Sequence, residues 1–262
     1  MKFGRRRPAP HQRVGHKMAA RYFDAANMPP VPDAFDYSTL SPGPLADILG
    51  NDTLGDCTAA GAGHLIDIFT AGGDSPVAIT ADEAIAFYSL STGYVPGDPS
   101  TDQGGDEVTV LTAWRDKGFD GKGAHAIAGF VQVDASNAAE LKACAFYFGG
   151  LYFGLELPDP YTNPFPSGNG FVWGPGTPDP NDGHCIVGVG GDSLGIKIDS
   201  WGLLGTLEYT AIAELCSDAA GGMVFAVLSK EWISKSSQKS PEAIDWASLV
   251  ADFDSLGGAV TT

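Results

Sequence analysis

Asn51-Asp52-Thr53-Leu54-Gly55-Asp56-Cys57-Thr58-Ala59-Ala60-Gly61-Ala62-Gly63-His64 carries the chain from a polar turn into a helix, and the changeover falls on a cysteine. Ala59, Ala60, Ala62, Leu65, Ile66 and Phe69 recur at helical spacing as far as Gly72-Gly73. That pattern predicts a buried helix whose small residues let neighbours approach on all sides. Unpaired amides at a helix start stabilise an anion, so a thiolate at Cys57 would have a depressed pKa. Cysteine is also a small buried hydrophobe in many cores, and position alone does not decide between the two.

A second stretch, Asp182-Gly183-His184-Cys185-Ile186-Val187-Gly188-Val189-Gly190, opens a Val/Ile strand with a histidine. Asp199 closes the next strand in Ile196-Lys197-Ile198-Asp199-Ser200-Trp201-Gly202. If those strands pair antiparallel, Asp199 comes beside His184, fixes its tautomer and favours its charged form. Trp201 would cover the pair.

Between these stretches the pattern divides. Thr80 to Ser91 opens with a capping box, Val108–Lys117 ends at Gly118, and Ser136 starts a helix reaching about Gly149. Residues 124–134, 151–157, 171–173, 183–191, 194–200 and 222–228 have strand character. Helices dominate the first half and strands the second, which predicts an α+β chain of two lobes with a cleft between them.

Taken in order, these motifs resemble the papain-like (C1-type) cysteine peptidases. Gly55-Asp56-Cys57-Thr58-Ala59 is similar to the family's nucleophile stretch, and Asn51 stands where the family has its oxyanion-donating glutamine. His184 opens the base-histidine strand, Asp199-Ser200-Trp201-Gly202 answers Asn-Ser-Trp-Gly, and Gly104-Gly105 precedes Gly118 as the cleft-lining pair does. The resemblance covers roughly residues 30–228. It implies a two-lobed fold with a helical N-terminal lobe and an antiparallel, barrel-like β C-terminal lobe. It further implies Cys57 as nucleophile, His184 as base, Asp199 as its orienting partner and Asn51 as oxyanion donor. Gly104, Gly105, Thr58 and Trp201 would line the substrate cleft. Thr58 replaces the usual Trp, Asn51 is shorter than Gln, and Asp199 replaces Asn. The implied activity is cysteine-dependent hydrolysis or acyl transfer on peptide or amide bonds, with no cofactor and no metal. The alternative is a weak or inactive scaffold serving binding or assembly, for instance in a virus particle.

The remaining candidates are read as structural. His64 lies two helical turns beyond Cys57, about 10 Å along the axis, and is assigned to packing. Cys185 points away from His184 by strand alternation and is buried and inert. Asp98, Asp102, Asp106 and Glu107 lack the spacing of a calcium loop and read as a solvated one.

The formal net charge is -17, unevenly placed. Lys2, Arg5, Arg6, Arg7, Arg13, Lys17 and Arg21 form a basic arm without an acid, within a segment assigned to residues 1–29. The acidic body, residues 22–262 with its folded domain assigned to 30–228, disfavours nucleic acid, while the arm alone could touch RNA, DNA or an acidic surface, or lie on its own body. Residues 229–262 read as a polar linker and an amphipathic helix, whose 240–256 stretch is a second candidate partner surface. No apolar run is long enough to span a membrane and no secretory signal is evident, so a cytoplasmic or virion-associated protein acting on peptide or protein substrates is expected.

Overall fold

The computed structural model describes residues 1–7, 30–233 and Ala247. Most of the basic arm and, apart from Ala247, the amphipathic helix expected in the 240–256 stretch lie outside the described residues.

The first lobe is helical. Helix α1 runs Cys57–Gly72, α2 Ala81–Thr92 and α3 Glu107–Lys117. Thr80 caps α2 through its side chain, with Glu83 completing the capping box. Asp106 caps α3 by accepting from the Thr109 amide. Gly61 is what lets α1 lie close to the second lobe. A Cβ there would stand 3.1 Å from Cys185 Sγ and 3.4 Å from Val187 Cγ1.

The second lobe is a sheet. Its strands are β1 (Phe35–Asp36), β2 (Ile127–Gln132), β3 (Leu151–Glu156), β4 (Phe171–Trp173), β5 (Gly183–Gly191), β6 (Gly195–Ser200), β7 (Leu203–Glu208) and β8 (Met223–Ser229). Helix α4 (Ala138–Tyr147), the single turn α5 (Asp159–Thr162) and α6 (Tyr209–Leu215) connect them. The order is β2-β8-β3-β5-β6-β7-β4, with β1 added to β5. Among the described residues no pairing joins the two ends of that order, and β4 runs parallel to β7. The sheet is therefore mixed, where an antiparallel, barrel-like one was expected. β7 and α6 were not foreseen, because Leu203–Glu208 carries two glycine-flanked leucines rather than a clear alternation.

β5 is buried along its whole length and sits under α1, so the two stretches that decided the reading are packed together. The body also continues past residue 229. Trp232 is buried against Gly72 and Gly149 and donates its indole N–H to the Tyr147 carbonyl at 2.9 Å. No helix among the described residues is long and apolar enough to cross a membrane.

Candidate active site

Cys57 is the first residue of α1 and His184 the second of β5. Both line one cavity of about 20 Å³, with Asn51, His64, Asp199 and Trp201 also in its wall. A space of that size holds about one water molecule. The four residues expected to carry the chemistry thus meet in one place, but the contacts among them differ from expectation.

Strand register decides the difference. Asp199 stands opposite Val187, so alternation turns its side chain to the face shared by Cys185 and Val187, under α1. Ser200, one residue on, faces the same side as His184. Its Oγ lies 3.1 Å from His184 Nε2. Among the described residues, neither Asp199 carboxylate oxygen nor His184 Nδ1 has a hydrogen-bond partner. His64 Nε2 is 3.5 Å from Asp199 Oδ2, with Asp67 Oδ2 3.7 Å from Nδ1 on the other side. His64, set aside as packing, is therefore part of the site's charge system.

Trp201 has φ +52, a left-handed conformation costly for a bulky side chain. The turn lays its indole flat on His184, with ring centroids 3.8 Å apart and planes at 14°. Backbone strain of this kind is held where packing over-determines it.

Burial sets the protonation of the site. It pushes the Cys57 thiol up to about 12, only partly offset by the amides of Cys185 and Gly4 near the sulfur. Burial pulls His184 down to about 3. Both shifts oppose a thiolate–imidazolium pair, where the sequence predicted a lowered thiol and a charged histidine. The neighbouring Asp56 carboxyl is fully buried and pushed up to about 7. Burial also raises Asp199 to about 6, with His64 opposing. For His64 itself burial acts downward, but Asp199 and Asp67 outweigh it and the net shift is upward.

Residues 1–7 lie across the site as a strap. Gly4 and Arg5 donate their amides to the Gly183 carbonyl at 3.1 and 3.0 Å. Gly105 donates to the Gly4 carbonyl at 2.7 Å, and Arg6 to the Gly105 carbonyl at 2.8 Å, forming a parallel bridge between Arg5 and Gly105. Asn51 Nδ2, expected at the oxyanion, donates to the Lys2 and Leu54 carbonyls at 3.2 and 2.9 Å. Phe3 packs edge-on to His184 and Trp201. Only glycine fits at position 4, because a Cβ would come 1.8 Å from the Gly55 carbonyl oxygen. Thr58 lies under the same crossing, with its Oγ1 2.8 Å from where a Gly105 Cβ would be.

Side chains lock the strap. Lys2 pairs with Asp102, which also accepts from the Tyr88 hydroxyl at 2.7 Å and the Gly55 amide at 3.1 Å. Arg5 Nε reaches Glu107 Oε1 at 2.6 Å, both side chains being fully buried. Arg7 forks onto Glu156, with Nη2 2.6 Å from Oε2. The loop acids expected to be solvated are thus partly turned inward, because Lys2 meets Asp102 and Arg5 meets Glu107.

No family profile and no curated relative matches the chain. Solved structures do. The chain is similar to xylellain, a cysteine protease from Xylella fastidiosa, at 15% identity and TM-score 0.58, over 86% of this chain and 95% of that one. It is similar to digestive procathepsin L2 from Tenebrio molitor at 13% and 0.58, over 86% and 78%. It is also similar to the Carica candamarcensis cysteine protease CMS1MS2, solved with E-64, at 14% and 0.53, over 76% and 99%. The fold is the papain-like one, in a divergent form.

Proposed function

We propose that the protein is a cysteine-dependent peptide or amide hydrolase, held closed here by its own residues 1–7. The observation that carries this reading is the meeting of Cys57, at the start of α1, with His184, at the start of β5, in one cavity of a papain-like fold. With the strap displaced, water reaches both side chains. The burial that separates their pKa values is then relieved and a proton can pass from sulfur to His184 Nδ1. The thiolate attacks the substrate carbonyl carbon, and the carbonyl oxygen gains the negative charge. The Cys57 amide and the Asn51 side chain, freed from Lys2, would hold that oxygen. His184 gives its proton to the departing amine, leaving a thioester that water hydrolyses, with His184 again as base. Ser200 and Trp201 position the imidazole, and Asp199 acts through His64 rather than on His184.

Turnover of a peptide amide by the full chain carrying Gly4→Val and Arg5→Ala tests this. Release of amine that Cys57→Ala and His184→Ala each abolish is the expected result. Absence of turnover and of any Cys57 acyl adduct by mass measurement would exclude it. A second reading, a scaffold kept for assembly, draws on the raised Cys57 pKa and on Asp199 being turned to His64. That reading expects the silent outcome.

A further inference from the structure

We infer that the cleft is built to recognise an arginine side chain, so that the ligands it takes once the strap leaves are basic peptides. The inference rests on the proposed peptide-binding cleft and deepens it.

The strap shows what the cleft accepts. Arg5 is held through its backbone, by the bridge to Gly105 and the bond to the Gly183 carbonyl, as any peptide residue could be. Its side chain enters a site with its own chemistry. Nε meets Glu107 Oε1 at 2.6 Å, Nη2 meets the Gly221 carbonyl at 2.7 Å and Nη1 lies 3.8 Å from Glu156 Oε1. These acceptors surround a planar fork, which suits guanidinium better than ammonium.

Glu107 calls for such a guest. With Arg5 in place it is fully buried, and its Oε2 has no hydrogen-bond partner among the described residues. Gly154 makes room for it, since a Cβ there would fall 1.4 Å from Glu107 Oε1. Burial already raises the Glu107 pKa, and Arg5 is the main group opposing that shift. When the strap withdraws, Glu107 loses its cation while a second carboxylate, Glu156, loses Arg7. A deep site left with unpaired acid favours whatever peptide returns a guanidinium. An aliphatic side chain would leave both carboxylates unpaired and is selected against.

Binding, not turnover, tests this, so that a catalytically silent protein still gives an answer. The full chain with Gly4→Val, Arg5→Ala and Cys57→Ser is titrated calorimetrically with acetylated Phe-Gly-Arg-Ala and its reverse, Ala-Arg-Gly-Phe. Each is compared with the same peptide bearing citrulline, which keeps the shape and loses the charge. The arginine peptide of at least one direction is expected to bind about tenfold or more tightly than its citrulline counterpart. Glu107→Gln should remove that preference. If that variant does not fold, Glu156→Gln should weaken the preference. Equal binding of arginine and citrulline, or no binding of either, overturns the inference. A chain that prefers arginine but hydrolyses nothing keeps this inference and rejects the hydrolase.

Discussion

Ser200, not Asp199, meets His184, and one step of strand register is the whole cause. The sequence makes the two equally near to His184, and only pairing with Val187 separates their faces. Substituting Asp199→Asn therefore removes the charge that raises His64 and leaves His184 untouched. In a titration of imidazole resonances, the His64 pKa is expected to fall while the His184 pKa stays. A shift at His184 instead would place Asp199 on the wrong face. His184 also makes a linkage prediction. Its folded pKa of about 3 lies below the ordinary value of 6.5, so between those values the unfolded chain takes up a proton that the folded chain refuses. Its contribution to stability is complete above pH 6.5 and is lost as pH falls through that window. Replacing His184 with Gln should lessen the acid slope by up to about 1.4 kcal/mol per pH unit, measured by urea unfolding across the range.

At the scale of elements, α1 and β5 were legible because each carries a strong local signal: small residues at helical spacing in one, a continuous Val/Ile run in the other. The strap was not. Its residues read as a basic arm, and nothing local tells a chain segment that Gly105 and Gly183 wait for its amides. Gly4 was the available clue, but close approach to Gly55 becomes visible only in three dimensions. The strap leaves as one unit, so its locks should not add. Breaking a buried ion pair costs about 3–5 kcal/mol when the orphaned charge stays buried. Here, undocking hydrates Glu107 and caps that cost at the strap's docking energy. Gly4→Val and Arg5→Ala together are therefore expected to destabilise no more than the larger single change, by denaturant unfolding. Simple additivity would mean that the strap does not move as a piece.

For the whole molecule, the division into a helical and a sheet lobe followed from the order of patterns, but the sheet's openness and the parallel β4–β7 pair did not, since register and closure depend on partners far along the chain. The end of the body was also misplaced. Residues 229–233 look polar around Trp232, yet that indole fills the gap that Gly72 and Gly149 leave, and Trp232→Ala is expected to cost about 3–5 kcal/mol in unfolding. The net negative charge has a local consequence as well. The acids at Asp102, Glu107 and Glu156 hold an arm whose cations match them, and that pairing lays the arm over Cys57 and His184. The most direct measurement is the pH dependence of iodoacetamide alkylation at Cys57, in the full chain and in the Gly4→Val, Arg5→Ala variant, with and without His184→Ala. Slow alkylation in the full chain, fast alkylation near neutrality in the opened variant, and loss of that gain without His184 are expected. An opened variant whose Cys57 still reacts only at alkaline pH, whether or not His184 is present, would contradict the account.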